Sequence, residues 1–298
     1  MIRPGKLADA VAQQISSNES ATGHEATFAE HRARLTREIA ERAPAAGDGR
    51  LCLLGAGNAN DVDLGELAAR FAEIHLCDMD TDAIARAIAR VPAPLRDKLV
   101  AHAPVDVSGM FDLLEPWSRL PPDVRALDGI VAAAVTRVAR ALPAPFDVVV
   151  SCSLLTQLQL VLLQVLGDVN PRFTELRTTL NRAHMRTLGA LLAPGGVALL
   201  VTDLTSNLIY PPLADLDAGT DVGKLMTDLI AGGHIIYAVH PGQLSSEMRR
   251  DPALKQTFTI RYPIGPWIWR NGPDQALMVY GLEIRRSGNR SAPQARSD

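Results

Sequence analysis

Short apolar runs alternate with longer amphipathic segments through the middle of the chain. Five runs have the length of a strand, and the clearest of them lack the period-2 alternation of a half-exposed strand: 50–54, 74–77, 99–103, 146–150 and 197–202. The segments between them repeat apolar side chains at helical spacing, over 64–71, 81–91, 124–142, 154–166 and 173–192. This alternation predicts an α/β fold with an open, doubly wound, mostly parallel sheet that helices cover on both faces.

Different patterns flank this central part. Residues 6–43 are predicted to be helical and residues 44–49 to form a turn, so residues 1–49 are predicted as an N-terminal helical cap. The α/β domain is predicted over 50–286, and the polar residues 287–298 are predicted to be a disordered tail.

The last part of the predicted domain combines helices and β-rich runs. Helices are expected near 222–230 and 243–250. Two β-rich runs follow, 256–262 and 276–285, and the connection between them is rich in proline, glycine and tryptophan.

Composition and charge mainly exclude classes of protein. The chain has 298 residues, of which 47% are hydrophobic, which excludes wholesale disorder. A net charge of -3 argues against nucleic-acid binding through the whole surface. The apolar runs are far shorter than the roughly 20 residues that span a bilayer, so no membrane segment is expected. The three cysteines form no CxxC pair, so neither a disulfide framework nor a metal site is expected. They lie in apolar runs and are predicted to be buried and reduced, which suits a cytoplasmic protein.

The residues that follow the strands are the candidates for chemistry, because ligands of such sheets bind outside the carboxyl ends of the strands. The first strand ends at Gly55-Ala56-Gly57, where glycines allow close approach of a ligand to the backbone. The second strand ends at Asp78, whose carboxylate is suited to ribose hydroxyls, and Asp80 is expected to cap the next helix. Asp106 follows the third strand, either near a purine amine or as a turn or cap residue.

Together these segments resemble the class I S-adenosylmethionine-dependent methyltransferases. The resemblance lies in LCLLGAGNAND (51–61), IHLCDMD (74–80), FDVVVSCS (146–153) and LLAPGGVALLVTD (191–203), and covers about residues 50–203 in detail. It implies a seven-stranded sheet whose last strand inserts antiparallel, with S-adenosylmethionine as cofactor. The expected function is methyl transfer by in-line displacement to the oxygen or nitrogen of a small-molecule acceptor.

The resemblance also implies residue roles. The turn Gly55, Ala56 and Gly57 would lie against the methionine and ribose parts, and Asp78 would take the ribose hydroxyls. Met79, Asp106 and the backbone at Val107 would meet the adenine, and Ser151 would face the transferring methyl. The family usually has an acid two residues before the first glycine, where this chain has Leu53, so Asp61 is a candidate to orient the amino-acid end instead.

The acceptor side is expected at the rim, built by the N-terminal helices and by two connections. Asn207 and Tyr210 lie in one of them, and Trp267 and Trp269 lie in the other. The two tryptophans are expected either to stack on a flat or cationic acceptor or to form a hydrophobic plug. His240 is the candidate general base, with a role as helix entry as the alternative.

Some acceptors and some alternative functions can be weighed from motifs. No Asp/Asn-Pro-Pro-Tyr/Phe follows the fourth strand and no Pro-Cys supplies a thiolate, which argues against nucleobase acceptors. An NAD-dependent oxidoreductase remains an alternative, although Asn60 stands where its fingerprint needs a third glycine. A non-catalytic cofactor-binding protein is the other alternative, because of Leu53. A homodimer is left open.

Overall fold

The computed structural model describes residues 7–23, 25–217, 219–271 and 274–288. Most of the predicted tail, residues 289–298, lies outside the described residues. In the described part, the chain forms a seven-stranded sheet with helices on both faces. The strands are β1 (Arg50–Leu54), β2 (Glu73–Cys77), β3 (Leu99–His102), β4 (Phe146–Cys152), β5 (Leu192–Ser206), β6 (Phe258–Arg270) and β7 (Ala276–Arg286).

The strand order is β3-β2-β1-β4-β5-β7-β6. Strands β3, β2, β1, β4 and β5 are parallel neighbours, and β7 pairs antiparallel with both β5 and β6. The predicted fold class is therefore confirmed, including the antiparallel last strand. The order reverses between β1 and β4, so ligands are expected beside the carboxyl ends of these two strands.

Ten α-helices lie in the described residues. They are α1 (Leu7–Ser20), α2 (Ala29–Ala40), α3 (Leu64–Ala68), α4 (Thr81–Arg90), α5 (Phe111–Arg119), α6 (Leu127–Ala141), α7 (Leu154–Leu166), α8 (Phe173–Leu191), α9 (Val222–Ala231) and α10 (Pro241–Arg250). The helix α5 was not predicted, and short 3-10 turns complete the connections at Glu25–Phe28, Ala93–Lys98, Val124–Ala126, Pro211–Asp215 and Tyr237–Val239.

The sheet separates two hydrophobic cores, as the apolar strands require. Along β1, the side chains of Cys52 and Leu54 pack into one core and those of Leu51 and Leu53 into the other. All four are fully buried, which removes their apolar surface from water on both faces of the sheet. Leu53 thus has a packing role and does not face a ligand.

The N-terminal helices pack onto the sheet domain in two places. Helix α1 contacts α4, α5 and α7, and α2 contacts α3 and β6. Arg42, just after α2, forms an ion pair of 2.8 Å between Nε and Oε2 of the buried Glu283 on β7. The first and last parts of the described chain are therefore joined at the same side of the sheet.

The connection predicted between the last two strands is wrong in its bounds. Residues 263–270 belong to strand β6, which pairs with β7 through two irregularities, between Arg261 and Ile264 and between Ile264 and Trp267. These breaks in register explain why a proline- and glycine-containing segment is still a strand, since bulges tolerate both residues.

Candidate active site

The turn after β1 is held against the end of β2. The backbone N–H groups of Gly55 and Ala56 donate to the carbonyl oxygen of Cys77, at 2.9 and 3.2 Å. Gly55 has a φ of +71°, and a Cβ there would lie 2.9 Å from the side chain of Leu154. A side chain at this position is excluded both by conformation and by space, so the backbone of the turn is left open to its other side.

The Asp78 carboxylate and the glycine turn form one unit, as predicted. Oδ2 of Asp78 accepts a hydrogen bond from Gly57 N at 2.8 Å, and Oδ1 accepts one from Asp80 N at 3.0 Å. Burial raises the pKa of Asp78, against the opposing effect of these backbone hydrogen bonds. Asp80 caps α4 by accepting from Ala83 N at 2.9 Å, which confirms its predicted role.

The end of α1 covers this turn. Asn18 Nδ2 donates to Asp80 Oδ2 at 3.0 Å, and Asn58 Nδ2 donates to the carbonyl oxygen of Asn18 at 2.5 Å. Asn60 Nδ2 donates to the carbonyl oxygen of Ala21 at 3.2 Å. An N-terminal helix therefore forms one wall of the site.

Two cavities meet at this turn. The larger, of about 610 Å³, runs from Gly55 and Asp78 to Trp269 on β6, and the smaller, of about 50 Å³, lies beneath α1. Met79 and Val107, predicted to contact adenine, both line the smaller cavity. It offers far less free space than the larger cavity.

Asp106 is a cap residue. Its Oδ1 accepts from Ser108 N at 2.8 Å and from Ser108 Oγ at 2.6 Å, and its Oδ2 accepts from Phe111 N at 2.9 Å. Asp106 is absent from the lining of both cavities described above. The turn-or-cap alternative is what the structure shows, because Asp106 holds the turn that leads into α5 and lines neither cavity.

The end of β4 places a different serine in the cavity than the one expected. Ser151 is fully buried and its Oγ lies 2.9 Å from His184 Nε2, so the prediction that it faces the methyl is wrong. Ser153 lines the larger cavity instead, with a φ of +45° and a buried Oγ that has no hydrogen-bond partner. The predicted strand ended at residue 150, whereas β4 ends at Cys152. Ser151 was therefore taken for the residue after the strand, in place of Ser153.

His184 is buried in the core, away from both cavities. Burial lowers its pKa to about 4, so the imidazole is neutral near pH 7.

Two carboxylates of the larger cavity have an oxygen without a partner. Asp61 Oδ1 lies 3.4 Å from Nε2 of the buried His31, outside hydrogen-bonding geometry. Asp203 Oδ2 accepts from Thr156 Oγ1 at 3.0 Å, while its Oδ1 is buried and unpartnered. Burial raises the pKa of Asp203 to about 6, and the nearby Asp61 charge adds to this. Asp61 was predicted to lie in the site, whereas no role was predicted for Asp203.

The two tryptophans separate into one core residue and one cavity residue. Trp267 is buried away from the cavity, and its Nε1–H donates to His31 Nδ1 at 3.1 Å. Trp269 lines the cavity, stacks on His31 at 4.1 Å between ring centres, and has a buried Nε1 without a partner. The plug alternative holds for Trp267, and Trp269 is left as a site residue.

Three other predicted residues are occupied elsewhere. His240 caps α10, where Nδ1 accepts from Gly242 N at 3.0 Å and from Gln243 N at 3.3 Å. Asn207 bonds to the backbone at both Asp274 and Ala276. Tyr210 packs on His234, with ring centres 5.5 Å apart. None of these three residues lines the larger cavity, and their side chains stabilise the fold. The prediction that His240 is the general base is therefore wrong.

Two features are absent from the described residues, a metal site and a membrane-spanning helix. Among these residues, no group of three or more histidine, cysteine, aspartate or glutamate side chains is arranged to hold a metal ion. The same residues include no helix with the length and apolar character needed to cross a bilayer. The three cysteines are buried and unpaired, as predicted.

Comparison with known proteins gives structural matches only. No family model matches the chain, and no curated protein matches it. Among solved structures, it is similar to the cyclase SpnF (TM-score 0.43, 16% identity, 86% of this chain and 81% of that chain).

The similar structures include named methyltransferases. The glycopeptide N-methyltransferase MtfA, in complex with S-adenosylmethionine, matches with a TM-score of 0.41, 16% identity, and coverage of 85% of this chain and 93% of that one. Magnesium protoporphyrin IX methyltransferase from Synechocystis PCC 6803, with bound S-adenosylhomocysteine, matches with a TM-score of 0.40 and 14% identity. The match covers 89% of this chain and 84% of that one. The strand order and strand directions of this chain define its fold independently of these matches.

Proposed function

We propose that this protein binds S-adenosylmethionine and transfers its methyl group to a small-molecule acceptor. One observation carries the proposal. The Asp78 carboxylate lies 2.8 Å from Gly57 N, beside a glycine turn that opens into a cavity of about 610 Å³. A carboxylate beside a glycine turn that lines a cavity suits a ribose, and the rest of that cavity leaves room for a second substrate.

The chain offers partners for each part of the cofactor. Asp78 suits the ribose hydroxyls, and Met79 and Val107 offer an apolar surface to the adenine, since they line the adjoining cavity. Asp61 suits the ammonium of the amino-acid end, and the unpartnered Nε1–H of Trp269 suits its carboxylate. Asp61 thereby takes over the role of the acid that Leu53 replaces.

The chain's own contribution to the reaction is positioning and exclusion of water. The bound cofactor supplies a methyl group on a positively charged sulfur, which is already a strong electrophile. Holding an acceptor atom about 3 Å from that carbon and in line with it is then the largest contribution a protein makes. Carboxylates around the cavity would also favour binding of the positively charged sulfonium.

The first test is calorimetric titration with S-adenosylmethionine, S-adenosylhomocysteine and NAD. Binding of the first two, and not of NAD, supports the proposal. Failure of the sulfonium compound to bind at millimolar concentration contradicts it, and binding of NAD alone favours an oxidoreductase.

A variant tests the role of Asp78. Asp78→Ala is expected to weaken binding of S-adenosylmethionine at least about tenfold, since a charge-assisted hydrogen bond contributes about 1.5–3 kcal/mol. The matched control is Asp63→Ala, which removes a carboxylate that caps α3 by accepting from Glu66 N at 3.0 Å. The control is expected to bind normally, and equal affinities of the Asp78 variant and the unmodified protein would place the ribose elsewhere.

A further inference from the structure

The larger cavity has a second set of polar side chains besides Asp78. It is walled by residues that follow or end strands β4, β5 and β6 and by α7, with Ser153, Thr156, Asp203 and Trp269 among them. No role in binding the cofactor falls to Ser153, Thr156 or Asp203. These three side chains are therefore available to a second substrate.

Asp203 is fixed in place and still has one oxygen to offer. Thr156 Oγ1 donates to its Oδ2 at 3.0 Å, which makes Thr156 a positioning residue, while Oδ1 is buried without a partner. A buried carboxylate oxygen without a donor is costly, and a donor that also carries positive charge offsets this cost best.

Ser153 is a second, independent sign of a ligand at this place. It is only 4% exposed, and its Oγ has no hydrogen-bond partner although it lines the cavity. Its φ of +45° is a conformation that L-residues other than glycine rarely adopt. Strained residues with unsatisfied polar atoms cluster at binding sites, where the strain is retained for function.

Apolar side chains also line the cavity, and some of them are exposed to solvent. Phe28, Leu163 and Leu277 line the cavity, and its exposed large hydrophobic lining residues are Leu160 (50% exposed), Leu208 (84%) and Tyr237 (59%). Large hydrophobic side chains at the mouth of a cavity mark a site for an apolar group. The charged lining residues in the described chain are Asp61, Asp78, Asp203 and Arg177, and the guanidinium of Arg177 lies over the exposed Tyr237 ring, 4.9 Å from its centre.

We infer that the methyl acceptor is a hydrophobic amine. Its ammonium group binds Asp203 Oδ1 and Ser153 Oγ, and its apolar body extends along Phe28 and Leu163 toward Leu160, Leu208 and Tyr237. This inference rests on the proposed function. It narrows the acceptor atom from oxygen or nitrogen to nitrogen. The carboxylates Asp61, Asp78 and Asp203 outnumber the single cation Arg177, so the cavity favours a positively charged ligand over a neutral alcohol.

The transfer step balances without a further reactant. The ammonium loses one proton to Asp203 Oδ1, which frees the nitrogen lone pair. That lone pair forms the new bond to the methyl carbon as the carbon–sulfur bond breaks, and the bonding electron pair stays on sulfur. The product is a methylated ammonium ion and a neutral thioether, and Asp203 then releases its proton to water.

The test uses the full chain with a panel of arylalkyl and alkyl amines of increasing length, each paired with the alcohol of the same carbon skeleton. Calorimetry first establishes that S-adenosylmethionine binds, and release of S-adenosylhomocysteine is then measured for each pair. We expect at least one amine to be methylated at least about tenfold faster than its alcohol, as a charge-assisted contact predicts. If the cofactor binds and the alcohols react as fast, or no amine reacts, the amine assignment is overturned. If the cofactor does not bind, the proposed function itself fails.

Variants separate this role from a purely structural one. Asp203→Asn is expected to lower kcat/KM for the amine at least about tenfold and to leave the affinity for S-adenosylhomocysteine within about twofold. Asp221→Asn, at the cap of α9 outside the cavity lining, is the control expected to change neither. Titration of the preferred amine into the complex with S-adenosylhomocysteine should show the same loss for Asp203→Asn. An unchanged amine affinity in that variant overturns the assignment of Asp203.

Discussion

The carboxyl ends of β2 and β3 differ from those of β4 and β5 in how their polar groups are satisfied. After β2 and β3, the carboxylates of Asp78, Asp80 and Asp106 all accept hydrogen bonds from backbone N–H groups. At the ends of β4 and β5, Ser153 and Asp203 each have a buried oxygen without a partner. The side proposed for the nucleoside is thus hydrogen-bonded within the fold. The side proposed for the acceptor has buried oxygens without partners, a cost that a bound substrate would offset.

The largest effect on stability is expected at the glycine turn, which contacts Asp78. Gly55→Ala is expected to lower the free energy of unfolding by about 2–5 kcal/mol, from the cost of a left-handed residue and from overpacking against Leu154. A Cβ there would lie 2.9 Å from Leu154, in a turn with a φ of +71°. Urea unfolding measures the loss.

Gly195→Ala is the matched control for this variant. Gly195 has a similar φ of +82° but nothing within 4 Å of an added Cβ, so only the conformational cost of about 1–2 kcal/mol is expected. Equal losses in the two variants would show that Leu154 moves aside and that the turn is not sterically fixed.

The second-largest effect on stability is expected at Asp203, which has a buried oxygen without a hydrogen-bond partner, and this effect depends on pH. Burial raises the pKa of Asp203 from 3.8 to about 6. Above about pH 6, the carboxyl of Asp203 is ionised in the folded protein although burial favours its protonated form, and this lowers stability. Below about pH 4, the carboxyl is protonated in both the folded and the unfolded protein, so this cost is absent. Asp203→Asn should therefore stabilise the protein by up to about 3 kcal/mol at about pH 8, with the gain vanishing toward pH 4.

Unfolding curves of the two proteins across this pH range measure that difference. A gain that persists unchanged at about pH 4 would mean that the carboxyl ionisation is not its source. A stabilising variant with reduced transfer is the behaviour expected of a residue kept for function.

A third prediction uses two serines of the same strand end. Ser151→Ala leaves His184 Nε2 buried without its partner at 2.9 Å and should cost about 1–3 kcal/mol. Ser153→Ala removes an oxygen that has no partner to lose, and should change stability by less than about 0.5 kcal/mol. Similar losses in the two variants would show that the oxygen of Ser153 is also satisfied in the folded protein.

The smallest effect comes from the conformation of Ser153. Ser153→Gly relieves a φ of +45° and should stabilise the protein by about 0.5–1 kcal/mol, after the greater flexibility of glycine in the unfolded chain is counted. Thermal unfolding of the glycine and alanine variants side by side isolates the backbone contribution. A glycine variant less stable than the alanine variant would contradict strain at this position.

Most of the fold was predictable because the strands are apolar on both faces. The bounds of β1 and α7 match the prediction, and β2 and β3 differ by one residue each. Strand β6 was mistaken in part for a connection, because proline and glycine within it are tolerated by bulges that only the pairing with β7 reveals. Helix α5 contains Pro116 and was missed for a similar reason.

The site was predictable where one strand end determines it, and not where two elements meet. Gly57 and Asp78 were placed together by the rule for parallel strands, and their contact of 2.8 Å agrees. The partner of Asp203 is Thr156 on α7, 47 residues away in sequence, and no local pattern predicts such a contact. His240 was misjudged because a histidine before a proline looks the same in sequence whether it caps a helix or faces a substrate.

The position of β7 between β5 and β6 has a consequence for synthesis on the ribosome. Strand β6 is made before β7 but has no neighbour in the sheet until residues 276–286 have emerged, so Trp269 reaches its place late. A nascent chain stopped before that point would have the glycine turn and Asp78, but the cavity wall that includes Trp269 would be unfinished. The cavity proposed to hold both the cofactor and the acceptor would thus be completed only once the last strand has emerged.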